Sequence, residues 1–85
     1  MEFRLSDHAR QEMERRRTPL ALVEQVLANP EQTASEKAGR TAYQSRQRIG
    51  GKMFLVRVIV DEAVYPPTVV TVYRTTKVQK YWRTP

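Results

Sequence analysis

"MFLVRVIVDE", residues 53–62, is the most apolar stretch of the chain, and its reading decides the fold. It is short, rich in β-branched residues and interrupted only by Arg57, which fits a strand near the centre of a sheet. Side chains alternate along a strand. Phe54, Val56, Val58 and Val60 therefore face one way, and Leu55, Arg57 and Ile59 the other.

Outward from this strand the period of two persists. Gly50-Gly51 joins it as a hairpin to "RTAYQSRQRI", residues 40–49. Before that, "QTASEK" (residues 32–37) reads as a weak edge strand, with Ala38-Gly39 as a tight turn. On the other side "VYPP" (residues 64–67) breaks the pattern. "TVVTVYRT" (residues 68–75) is the last clear strand, with Val70 and Val72 opposite Thr71 and Tyr73. "KVQKYWRTP" (residues 77–85) is a basic, aromatic tail, either a helical turn or an extended segment.

The N-terminal residues have a different period. "EFRL" is short and extended, with Phe3 and Leu5 on one side. Ser6 is a good N-cap, and a helix is expected from Asp7 to Arg16. Ala9, Met13 and the stem of Arg16 share one helical face; His8, Glu12 and Arg15 share another. Thr18 is expected to cap a second helix, with Pro19 at its first position and Leu20, Val23, Val26 and Leu27 as its packing stripe. Asn29-Pro30 stops it. The expected fold is α+β: two N-terminal helices on one face of an antiparallel sheet of about four strands, in a single domain over residues 1–85. The other sheet face is left open and carries Arg57, Thr71 and Tyr73. Arg40 or Tyr43 joins them, according to register.

Composition narrows the chemistry. Of 85 residues, 40% are hydrophobic and 28% charged, a globular balance. There is no cysteine and one histidine, so neither a disulfide framework nor a zinc site is expected. Asp61 and Glu62 are adjacent and point to opposite faces of a strand, so no metal or other cofactor is expected there. No apolar run approaches the roughly 20 residues of a membrane span, and "MEFRLSDHAR" lacks an apolar signal core. A cytoplasmic protein is the expectation. Charge is uneven: residues 1–36 carry five Arg/Lys against seven Asp/Glu, net −2, and residues 37–85 carry ten against two, net +8. Such a basic half favours phosphate-rich partners, nucleic acid among them, or an acidic protein.

Metal-free RNA cleavage needs a base, an acid and cations to stabilise a phosphorane. His8 and Tyr81 are candidates for base or acid. Arg57, Arg74 and Lys77 are candidates to hold the phosphate, Tyr73 to stack or donate, and Arg40 and Tyr43 to extend the RNA surface. Each has a plainer reading. His8 can be an ordinary surface residue and Arg15–Arg17 a solvated helix end. Thr71 and Tyr73 can be cross-strand packing, and Tyr81-Trp82 an anchor for the tail.

"FRLSDHARQEMERRRTPLALVEQVLANP", with "YQSRQRIGGKMFLVRVIV" and "VVTVYRTTKVQKYW", resembles a bacterial domain family of unknown function. That family is marked by a Ser/Thr-x-His-Ala-Arg helix and a closing Thr-x-Tyr strand. Such domains are similar to the barnase, EndoU, colicin and RelE group of metal-free ribonucleases, which includes toxins of toxin–antitoxin systems. The resemblance implies an RNA cleft on the open sheet face. It matches His8 to the helix histidine, Thr71 and Tyr73 to polar positions on the late strand, and Arg74 and Tyr81 to the arginine and tyrosine that serve the scissile phosphate in RelE-like members. It implies RNA, free or on the ribosome, as substrate and an acidic antitoxin as partner. The alternative is a non-catalytic nucleic-acid-binding or protein-interaction module on the same basic face.

Overall fold

The computed structural model describes residues 2–84. Its elements run β1 (Arg4–Leu5), α1 (Asp7–Arg15), α2 (Leu20–Ala28), β2 (Gln32–Ser35), β3 (Thr41–Ile49), β4 (Lys52–Asp61), β5 (Thr68–Thr75) and α3 (Val78–Tyr81). The fold is α+β with both larger helices N-terminal. The strand order is β1-β5-β4-β3-β2, with β4 in the centre. The sheet has five strands rather than about four, because "EFRL" supplies β1. This strand runs parallel to β5, so the sheet is mixed.

Local chemistry sets each boundary. The Ser6 hydroxyl accepts a bond from the Ala9 N–H at 3.0 Å and donates to the Val70 carbonyl at 3.2 Å, so the cap of α1 also ties the helix to β5. α1 ends in a Schellman turn: Arg17 N–H donates to Glu14 and Thr18 N–H to Met13, with Arg17 at φ 53°. That turn corrects the expected cap of α2. Thr18 is drawn back against α1 and buried, its Oγ1 without a partner among the described residues, and Pro19 takes the N-cap position. Leu20 also leaves the packing stripe. As the first residue of α2 it is 46% exposed, and Val23, Val26 and Leu27 face the sheet, with Leu22 half-buried beside them. The β3–β4 hairpin pairs Ile49 with Lys52. Gly50 and Gly51 sit between them at φ 57° and 80°, the left-handed pair that a two-residue turn requires.

The main core lies between the helices and one sheet face. Ala9 and Met13 of α1 and Val23, Val26 and Leu27 of α2 pack on Val56, Val58, Val60, Val69 and Val72. Each such valine stabilises the fold by about 1.5–3 kcal/mol relative to an exposed one. Val69 stands where alternation alone placed Val70. The pairing Ile59↔Thr71 followed by Val60↔Val69 leaves Val70 as a bulge, and one extra residue resets the alternation. β4 is buried on both faces from Leu55 to Val60.

Candidate functional site

Register builds a polar cluster on the sheet face away from α1 and α2. Gln44, Arg57 and Tyr73 are Cα partners across three neighbouring strands, so their side chains stand in one row. Arg57 Nε donates to Gln44 Oε1 at 2.8 Å, Nη1 to the Tyr73 hydroxyl at 2.5 Å and Nη2 to Glu36 Oε2 at 2.9 Å. Glu36 follows β2 directly. The Tyr81 ring lies 4.4 Å from the guanidinium and meets the Tyr73 ring edge-on at 6.2 Å. Gln44 links the halves of the cluster. Its Oε1 receives Arg57, and its Nε2 donates to Gln32 Oε1 and to the Tyr81 carbonyl.

This face is therefore not open, as the sequence suggested, but crossed by the C-terminal segment. Gln32 bonds Arg83 twice, at 2.5 and 3.0 Å, and the Arg46 guanidinium sits 4.2 Å over the Trp82 ring. Cation–π stacking on two strand arginines draws the aromatic tail down. Arg46 is oriented in turn by Glu31, at 3.1 Å.

The Arg57 side chain is 2% exposed and that of Glu36 29%. Burial acts to lower the Arg57 pKa, but the bonds to Glu36 and Tyr73 outweigh it and the guanidinium stays charged. Burial raises Tyr73 against the pull of Arg57, so its hydroxyl keeps its proton at neutral pH. Among the described residues that proton has no protein acceptor. A buried ion pair stabilises a fold less well than apolar residues of the same volume. The five residues around Arg57 in the central strand are all apolar. A charged cluster in that setting marks a candidate site.

The other residues singled out from sequence fall in several places. Thr71, paired with Ile59, is half-buried on the same polar face. Lys77 is exposed beside the start of α3, and Arg40 at the turn that opens β3. His8 is exposed on α1, in the helix layer on the far side of the sheet from Arg57, with no side-chain hydrogen bond or ion pair among the described residues. Arg74 pairs with Val56 and thus shares the helix face, 5.4 Å from the Phe54 ring. Tyr43 pairs with Val58 on that face too. Its hydroxyl donates to Glu62 at 2.5 Å, which with partial burial pushes its pKa up to about 12. The fold thus unites Arg57, Thr71, Tyr73 and Tyr81 and separates them from His8, Arg74 and Tyr43. The last three are corrected out of the cleft by strand parity and by the helix layer.

Glu36 and Gln44 were missed. Alternation carried one residue past Ser35 puts Glu36 on the face of Gln32 and Ala34. Gln44 shows only once the β3 register is fixed.

A family model described as a domain of unknown function matches residues 5–74. No curated protein and no solved structure matches the chain.

Proposed function

Since the chain belongs to the DUF4258 family, which supplies no activity, we propose from its own side chains that it cleaves RNA without a metal at the Arg57 cluster. The observation that carries this reading is the convergence of a guanidinium, a protonated phenol and a carboxylate within single hydrogen bonds. In the reaction a ribose 2′-oxygen attacks the adjacent phosphorus and the bond to the 5′-oxygen breaks. Glu36 takes the 2′-hydroxyl proton, and Tyr73 gives its proton to the leaving 5′-oxygen. Arg57 stabilises the phosphorane with the two N–H groups left over from the three it commits to protein, out of five. The products are a 2′,3′-cyclic phosphate and a 5′-hydroxyl. The phosphate reaches Arg57 when α3 lifts and carries Tyr81 away. On this reading the domain is a toxin acting in the cytoplasm, and its basic half is the surface an acidic antitoxin masks.

The test is product chemistry. A labelled RNA incubated with the protein in EDTA yields cyclic-phosphate ends, while a strand of the same sequence lacking 2′-hydroxyls stays intact. Cleavage of both strands, or of neither, contradicts the reading. A second reading keeps the RNA and drops the chemistry. It is favoured by the closure of Arg57 to solvent, which suits a structural tie between sheet and tail. Salt-sensitive binding without product would support it.

A further inference from the structure

We propose that single-stranded RNA is held in the groove between α3 and the β3–β4 hairpin, beside the Arg57 cluster and not on it. The inference rests on the reading that the domain acts on RNA, and it names the form of RNA taken. The groove is lined by Arg46, Met53, Lys77, Val78 and Lys80, together with Thr76 and Gln79. None of the described lining residues is acidic. Lys77 and Lys80 are exposed and make no ion pair among the described residues. The floor is apolar, and Met53 is 40% exposed on it. A second hollow, lined by Gln79, Trp82 and Thr84, shares Gln79 with the first. Arg46 spans the two, lining one and stacking on Trp82 of the other.

Cations along an apolar floor, with the Trp82 ring in the adjoining hollow, suit a ligand that carries both phosphates and bare flat faces. Unpaired bases stack on such side chains whatever their sequence. A duplex hides its base faces, and an acidic peptide would use the cations while leaving Met53 and Trp82 uncovered. Lys80 precedes Tyr81, so a strand bound there lies against the turn that covers Arg57. Lys77, Lys80 and Trp82 fall outside the matched residues 5–74, and Arg46 and Met53 fall inside them.

The experiment follows binding by anisotropy and by quenching of Trp82, the single tryptophan. The probes are a short oligouridine, a fully paired RNA duplex and a polyglutamate peptide. The proteins are wild type, Lys77→Gln/Lys80→Gln and the control Arg4→Gln/Arg10→Gln. Oligouridine should quench Trp82 and bind at least roughly tenfold more tightly than the duplex or the peptide, the scale of one stacked base. The Lys77/Lys80 variant should lower the slope of log affinity against log salt by about 1.4, at ~0.7 per cation on a single strand, and the control should not. All variants are at exposed positions, and circular dichroism verifies their folding. An unchanged slope in the lysine variant, equal binding of duplex, or tighter binding of polyglutamate overturns the proposal. Cleavage is read in the same samples. RNA bound with the expected slope but left intact supports the groove and counts only against the cleavage reading. RNA cleaved with an unchanged slope does the reverse.

Discussion

Tyr43 and Tyr73 stand on opposite faces of the sheet and use their hydroxyls in opposite senses. Tyr43 donates to Glu62, while Tyr73 accepts from Arg57 and keeps its proton to give. The Tyr43 bond raises the phenol in the folded state from 10.0 to about 12. Its contribution is therefore complete below pH 10 and is lost as pH rises from 10 towards 12. The acid limb mirrors it: Glu62 is held below its ordinary value by Tyr43 first and Thr41 second, so its share is present above that ordinary value and is lost as pH falls through the lowered one. Tyr43→Phe should cost about 1 kcal/mol at pH 7. Urea unfolding of both proteins should show the difference shrinking above pH 10, and a constant difference to pH 12 would contradict the assignment. Arg17 offers a second check. A side chain at φ 53° is strained where glycine is not, so Arg17→Gly should raise stability by about 0.5–1 kcal/mol in the same assay. A loss of stability would mean that the arginine stem covers more apolar surface than its backbone strain costs.

At the level of elements, α3 is the part that lays Tyr81 over Arg57. It is a single turn, too short to be stable alone, and is held by Gln32, Gln44 and the Arg46–Trp82 stack. Gln32→Ala removes both bonds to Arg83 and the bond from Gln44 Nε2, and leaves the apolar core untouched. It should shift Trp82 emission to longer wavelength and lower global stability by no more than about 1–2 kcal/mol. If emission is unchanged, the tail is held by the Gln44 bond to Tyr81 and by stacking, without Gln32. Most elements were legible from sequence. Ser6, Gly50-Gly51 and Asn29-Pro30 carry local stop and start chemistry that tertiary packing did not override. Tyr81-Trp82 were legible as an anchor for the tail, but what they dock on was not. "KVQKYW" has no periodicity, and what brings it onto the sheet is a pair of arginines on other strands. The bulge at Val70 was hidden for a similar reason, since "TVVTV" reads equally well with either valine inward.

Over the whole molecule, the split of charge into a −2 and a +8 part was visible from composition, but its three-dimensional use was not. Glu36, from the acidic half, neutralises the one buried arginine among the described residues of the basic half, and two lysines without an ion pair, Lys77 and Lys80, lie beside α3. Sheet parity made the same kind of difference to the site. Arg57, Thr71 and Tyr73 lie on the polar face as alternation suggested, and Tyr81 joins them there through the docked tail. Arg74 needed the β5 register to be placed with Val56, and His8 needed the helix layer to be assigned a side. The most direct test of the central claim compares RNA cleavage rates in EDTA for wild type, Tyr73→Phe and His8→Ala. Tyr73→Phe should lose about 10²-fold or more, the scale of a lost general acid, and His8→Ala should keep the wild-type rate. A rate that survives Tyr73→Phe but collapses in His8→Ala would put the chemistry on the helix face and contradict the site described.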